Sequence, residues 1–463
     1  MAYIFTATTG ITLEKVIFAV VGHPNKGKSS IVSTLSQDDS INISGDSGTT
    51  KKATCYQVKT AHSGYELVDT PGFQRPTKVM AWLNQHAPTA NLRAQAVSAF
   101  VADPQCQQQF PDEVELLTPL VKGAAILYVV DGSRPYGAEY EAEMEILRWT
   151  GRPSMALINP IESEQYVAEW ERALTQYFKI VRVFNPMTAD FTRQIELLQA
   201  FAHLNPNWAG TLNTITEDLQ QQRITQKANS AMILSRLVED LCFHRESQKV
   251  LNQQQAKIIQ PTLEKKYKSW MQARENQAIR ELFANYQHYQ IKIDLSQLDF
   301  PPDLFDLDKW YAWGLTKQQL VSAAALAGAA AGVTLDIALA GHSLMLGAIG
   351  GGLAGFGSAW FGADRLAELK LHGLPLGGYE ACFGPIKNRN FPYVVIGRFI
   401  HLSRQISERN HANRGQLSFA ATDFQQNVIS LEKSTQKALH QACDKLIKQQ
   451  TVDDLQTILL PLL

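Results

Sequence analysis

Over its first two hundred residues the chain alternates short apolar runs with polar, turn-forming segments, and beyond about residue 214 it changes to a helical period. Residues 16–22 form a continuous apolar run rich in β-branched side chains, as suits a strand buried on both faces of a parallel sheet. Similar runs recur at 65–69, 124–131, 154–159 and 180–184, with helix-compatible segments at 30–35 and 138–149 between them. Alternation of this kind predicts an α/β domain with a mostly parallel sheet. The turn-rich stretch 205–210 marks its end, which places a first domain at residues 1–205.

The pattern that follows predicts a mainly α-helical C-terminal region. Thr214 and Glu217 have capping-box spacing, and Leu234, Leu237, Val238 and Leu241 recur as an amphipathic helix requires. Pro261 is expected to end that helix, and a second one carrying Leu263, Tyr267, Trp270, Ile279, Leu282, Phe283 and Tyr286 should run to about residue 290. These elements make a helical domain of residues 206–300. Such stripes are core positions, and no cofactor motif accompanies them.

Residues 301–385 form a third segment, an aromatic-flanked, Gly/Ala-rich apolar hairpin. Its block 320–362 contains one formal charge, Asp336, and glycines four apart at 328 and 332 and at 347, 351 and 355, which let two helix backbones approach closely. The turn is expected between Asp336 and Ser343, with His342 near the apex. An arm of about 16 residues reaches only ~24 Å, short of the ~30 Å hydrocarbon core, so a shallow or re-entrant insertion is easier than a full crossing. Two readings stay open: lipid contact through 320–362, or a tightly packed pair buried in protein. Trp310, Tyr311 and Trp313 upstream suit an interfacial belt or a core anchor alike. In the last segment, residues 386–463, Lys387, Arg389, Arg398, Arg404, Arg409 and Arg414 stand against one acid, Glu408, up to residue 414. That stretch faces anionic lipid or RNA phosphate, or else is a helix face paired with acidic residues elsewhere. A closing amphipathic helix carries Phe424, Val428, Leu431, Leu439, Ala442 and Leu446.

Composition narrows the picture. At 463 residues the chain has room for about three domains of roughly 150 residues each. Its formal net charge of −1 gives no global basic excess for nucleic acid, and 45% hydrophobic residues exclude bulk disorder. The five cysteines, Cys55, Cys106, Cys242, Cys382 and Cys443, lack metal or redox spacing and read as reduced thiols. The first residues show no basic region followed by an apolar core, so a cytoplasmic protein is expected, peripheral or integral at the cytoplasmic face of the inner membrane if the hairpin meets lipid.

Chemistry concentrates near the N-terminus. The run Gly22-His23-Pro24-Asn25-Lys26-Gly27-Lys28-Ser29 matches GxxxxGKS between a strand and a helix, the setting in which backbone N–H groups close around phosphate oxygens. Gly22, Asn25, Lys26, Gly27, Lys28, Ser29 and Ser30 line this candidate site, Lys28 for the β and γ phosphates and Ser29 for Mg²⁺. The strand at 65–69 ends in Asp69-Thr70-Pro71-Gly72, where a carboxylate can reach the metal through water and the Gly72 N–H can sense the γ-phosphate. Between the two motifs, Ser47-Gly48-Thr49-Thr50-Lys51 offers the hydroxyl of a first switch, Thr50 being favoured with Thr49 as its alternative.

GHPNKGKS, SGTTK and DTPG in this order resemble the P-loop GTP-binding domains of the Era and TrmE class of bacterial GTPases, over about residues 14–205. The resemblance implies GTP/GDP and Mg²⁺ as ligands, with Lys28, Thr50, Gly72 and Asn25 as the catalytic set. It also implies slow intrinsic hydrolysis, because that class carries an apolar residue where other GTPases orient water with glutamine, and Phe73 follows DTPG here. Asn25 stands where some members bind K⁺; a plain Pro-Asn turn is the alternative. The guanine-reading NKxD element is altered to Asn159-Pro160-Ile161-Glu162: Asn159 is kept, and Glu162 is one methylene too long for a bidentate grip on the base. GTP is therefore the first choice, with ATP or relaxed selectivity open. The whole layout resembles bacterial proteins that join a GTPase to domain of unknown function 3482. The expected role is a nucleotide switch governing a membrane-associated or protein-binding helical region, the partner protein being unknown. The rival readings are an Era-like GTPase assembling RNA or the ribosome, and a nucleotide-binding module with negligible hydrolysis.

Overall fold

A computed structural model describes residues 15–41, 52–251, 253–289, 370–371, 374–375, 379–387, 391–413 and 432–463. Thr49, Thr50 and the block 320–362 lie outside the described residues, as do Arg389, Arg414, Phe424, Val428 and Leu431. The chain divides into two compact units, the first comprising residues 1–224, 287–291 and 408–415, the second 225–286, 292–407 and 416–463.

The first unit is built on a six-stranded sheet. Its strands are β1 (Val16–Val21), β2 (Thr54–Lys59), β3 (Gly64–Asp69), β4 (Ala125–Asp131), β5 (Ser154–Asn159) and β6 (Ile180–Val183), in the order β2-β3-β1-β4-β5-β6. Every pairing is parallel except β2 with β3, an antiparallel hairpin that places the more polar β2 at one edge. The apolar runs of β1, β4 and β5 are buried on both faces because helices cover both. Val16, Phe18 and Val20 of β1 pack with α1 (Lys28–Ser36) and α8 (Phe191–Leu204) on one side, while Ala19 and Val21 join the core on the other. That second core is filled by α2 (Pro76–His86), α3 (Arg93–Ala102), α4 (Pro104–Gln109), α5 (Pro111–Val121), α6 (Glu139–Trp149) and α7 (Val167–Leu174). The α/β domain with its mostly parallel sheet is as expected, whereas the edge strand β2 and the helices α7 and α8 lay outside the expected elements. The four helices α2–α5 between Asp69 and β4 were not anticipated.

Helix α9 (Ala209–Phe243) starts earlier than the capping-box spacing predicts. Asn205 accepts from the Asn207 N–H and opens a single 3₁₀ turn that runs into the helix, so Thr214 sits inside it with its hydroxyl donating to Gly210 O. In the first unit, Asp218 of α9 holds the β2–β3 turn: it accepts from Thr60 Oγ1 at 2.6 Å and from the His62 N–H at 2.8 Å, and pairs with His62 Nδ1.

In the second unit Pro261 does not end a helix. It lies within α10 (Gln253–Asn285), where the buried Leu263, Tyr267, Met271, Ile279 and Leu282 hold the helix together despite the lost N–H. The break falls earlier, at β7 (Glu246–Val250). Strands β8 (Lys370–Leu371) and β9 (Leu374–Pro375) pair with each other, and β10 (Tyr379–Phe383) pairs antiparallel with β7. Helices α11 (Phe391–Ser407), α12 (Lys433–Ile447) and α13 (Leu455–Leu459) complete the unit. Of the two readings open for 387–414, pairing with an acidic residue elsewhere is met at Arg398, and Arg404 is tied to a backbone carbonyl. Arg398 is 5% exposed and ion-paired with Glu275 at 3.0 Å, and Arg404 donates to Leu462 O at 3.1 Å. Cys106, Cys242, Cys382 and Cys443 are buried free thiols and Cys55 is an exposed one. Among the described residues no helix is long and apolar enough to cross a membrane.

Candidate functional site

The loop from Gly22 to Gly27 leaves β1 through backbone conformations that favour particular residues. Gly22 has φ +142° and a Cβ there would meet Val129 O at 2.4 Å; Gly27 has φ +85°, and its Cβ would meet Asn159 Nδ2 at 2.3 Å. Asn25 takes φ +61°, the left-handed region that asparagine tolerates better than most side chains. The resulting turn delivers Lys28 as the first residue of α1, with its ammonium folded back to donate to His23 O at 2.9 Å and Gly22 O at 3.3 Å. Burial draws the Lys28 ammonium down to about 8, against the nearby negative charges of Asp69 and Glu143 that favour the protonated form.

Ser29 and Ser30 follow on the helix, and the Ser29 hydroxyl donates to Asp69 Oδ2 at 2.7 Å. Asp69 is brought there by register, since it lies beside Val20 in the parallel ladder. Thr70 donates to Val20 O at 2.7 Å, and the Phe73 N–H donates to Gly22 O at 3.2 Å. Gly72 rests on the phosphate loop so closely that a Cβ would stand 2.5 Å from Pro24 N. Phe73 is fully buried in the adjoining core, so its side chain orients no water.

Beyond Lys26, Asn159 ends β5 and is 3% exposed; its Nδ2 donates to Lys26 O at 3.1 Å, and among the described residues no partner meets its Oδ1. Glu162 is not gathered into this cluster. It is exposed and faces Arg134 at 3.6 Å. Asn185 donates to Pro160 O at 3.4 Å, tying the loop after β6 to the loop after β5.

Three carboxylates at the site escaped the motif reading. Asp131, at the end of β4 as Asp69 is at the end of β3, lies 3.5 Å from Lys26 Nζ and accepts from the Ser133 N–H and hydroxyl; the acidic end of an apolar strand was its signal. Glu143 of α6, 1% exposed, contacts His23 Nδ1 at 2.8 Å and accepts from Tyr128 OH at 2.9 Å beneath the loop. Its mark in the sequence was only an acid on the apolar face of a helix. Glu113 of α5, also 1% exposed, accepts from the N–H groups of Gln74 and Arg75, and nothing local in the sequence indicates it.

Residues 17–159 match the family described as a 50S ribosome-binding GTPase, and residues 171–456 match the family described as a domain of unknown function (DUF3482). GTPase Der of Mycoplasma pneumoniae is 25% identical over 228 residues, covering 48% of this chain and 42% of that protein. GTPase Der of Desulfitobacterium hafniense is 33% identical over 81 residues, 18% of each. The chain thus spans well under two thirds of either relative. Among solved structures, Era of Aquifex aeolicus bound to GDP and AlF4⁻ aligns with 51% of this chain and 73% of its own at 15% identity and a TM-score of 0.26.

Proposed function

Because this chain belongs to the DUF3482 family and joins that region to a GTPase-family domain, we propose that it binds GTP, hydrolyses it slowly to GDP, and acts as a nucleotide switch for its helical region. The observation that carries the reading is the convergence of Lys28, Ser29 and Asp69, with a hydroxyl and a carboxylate 2.7 Å apart beside a buried ammonium. An all-oxygen donor pair of this kind fits Mg²⁺, which Ser29 would ligate directly and Asp69 would hold through water. When bound, the ion neutralises charge on the β and γ phosphates. Lys28 supplies a further positive charge, the loop amides from Asn25 to Ser29 cradle the phosphates, and Gly72 stands where its N–H meets the γ-phosphate. Thr50, with Thr49 as alternative, is proposed as the switch hydroxyl.

Slow hydrolysis is supported by the burial of Phe73, which leaves water positioning to backbone groups or to an activator. Asn25 is exposed at the loop tip, and a K⁺ beside it is the proposed source of extra transition-state charge. Asn159 is proposed to brace the loop through Lys26 O, the separation of Glu162 leaves guanine without its usual carboxylate, and ATP is accordingly proposed to compete measurably. Phosphate release from GTP and ATP, followed in K⁺ and in Na⁺, tests these points together. Release absent under all conditions, with tight nucleotide binding intact, favours a binding module instead.

The output is proposed to act through residues 320–362 on lipid or on a partner protein. A ribosomal or RNA partner is the second reading, favoured by the description of the family that matches residues 17–159. Fractionation of the full chain and of a 320–362 deletion, each with GTP and with GDP, separates them. Nucleotide-dependent sedimentation with membranes that the deletion abolishes supports the first reading, and salt-sensitive ribosome association that survives it supports the second.

A further inference from the structure

Helix α5 holds backbone N–H groups just before β2 and just after β3. Glu113 Oε1 accepts from the N–H of Gln74 at 3.0 Å and of Arg75 at 2.5 Å, directly after Gly72 and Phe73 and at the start of α2. Arg75 Nη1 donates to Gln109 O at 2.9 Å, a second tie, to the end of the preceding helix α4. Glu115, two residues along α5, accepts at Oε2 from the Ala53 N–H at 3.3 Å, just after the interval that contains Thr49 and Thr50. From the other side, the phosphate loop holds the same strand end through Phe73 N–H to Gly22 O and the contact of Gly72 with Pro24. Gly72 to Arg75 is therefore fixed between the loop and a buried carboxylate. A helix start leaves N–H donors unsatisfied, and away from water an acceptor-only group nearby fixes their direction.

We propose that Glu113 is a positioning residue for hydrolysis: by accepting from Gln74 and Arg75 it sets the placement of the Gly72 N–H. The catalytic part rests on the function proposed above; the backbone part does not. Two readouts on the full chain keep them separate. In amide exchange without nucleotide, Glu113→Ala should speed exchange at residues 72–75 by about tenfold or more, while Glu113→Gln, whose amide oxygen still accepts, should stay near wild type. Glu113→Asp keeps the charge and withdraws it by one methylene, and should exchange faster than the Gln variant even if the Ala variant fails to fold. In GTP turnover, Glu113→Ala or Glu113→Asp should lower kcat about tenfold with KM within about twofold, and Glu113→Gln should recover it. Wild-type exchange in the Asp variant, or a kcat loss that Gln fails to recover, overturns the proposal. Altered exchange together with no turnover in wild type confirms the clamp and refutes the catalytic part along with the proposed function.

Discussion

A buried lysine holds its proton weakly, and an approaching phosphate strengthens that hold, so nucleotide binding should depend on pH in a calculable way. Burial draws Lys28 down to about 8; Lys26 acts in the same direction, and Asp69 and Glu143 oppose it. A bound triphosphate favours the ammonium, so binding should take up about 0.1, 0.5 and 0.9 protons at pH 7, 8 and 9, the neutral fractions for a midpoint of about 8. Affinity should fall about tenfold from pH 7 to pH 9 as the protonated fraction drops from about 0.9 to about 0.1. Phosphate ionisation is largely complete over this window and does not mimic the effect. Calorimetric titration of Mg–GDP and of a non-hydrolysable GTP analogue, in two buffers of different protonation enthalpy, reads both quantities. Lys28→Arg keeps its proton throughout and should abolish the uptake whatever its affinity. The sign carries over to stability. The unfolded chain binds more protons than the folded one between about 8 and 10.5, so this group's penalty is present below that window and fades as pH rises through it. Constant wild-type affinity from pH 7 to 9 without proton uptake refutes the reasoning.

Two further substitutions probe separate links. Gly72→Ala places a Cβ 2.5 Å from Pro24 N, so either the phosphate loop or Gly72 must shift; hydrolysis should fall at least about tenfold, read as kcat, with thermal stability of the second unit unchanged. Arg398→Ala leaves the Glu275 carboxylate buried without its ion-pair partner and should destabilise the second unit by about 3–5 kcal/mol in urea unfolding, while Arg398→Met with Glu275→Leu should restore most of that loss.

What the sequence revealed tracks where chemistry constrains neighbouring residues. Phosphate binding demands glycines, a lysine and a hydroxyl within one loop, and a buried parallel sheet demands continuous apolar runs, so GHPNKGKS, DTPG and five of the six strands were legible. The helices α2–α5 were missed although Pro76, Pro104 and Pro111 each open a helix and Asp103 caps one by accepting from Gln105 N–H; those marks are weak without an apolar period to attach to. Pro261 misled because propensity was weighed without the packing of Leu263 and Tyr267 that sustains α10. Glu113 and Glu143 find their partners across the fold, and the acid that pairs with Arg398 went unnamed because Glu275 is distant in sequence.

If Lys28, Ser29 and Asp69 form one magnesium–nucleotide site as proposed, the affinity for a GTP analogue with and without Mg²⁺ in wild type and in Asp69→Asn reads it out. Mg²⁺ should tighten wild-type binding by about tenfold or more and the Asn variant's by less than about twofold. Equal tightening in both proteins, or no binding by wild type at all, contradicts the account.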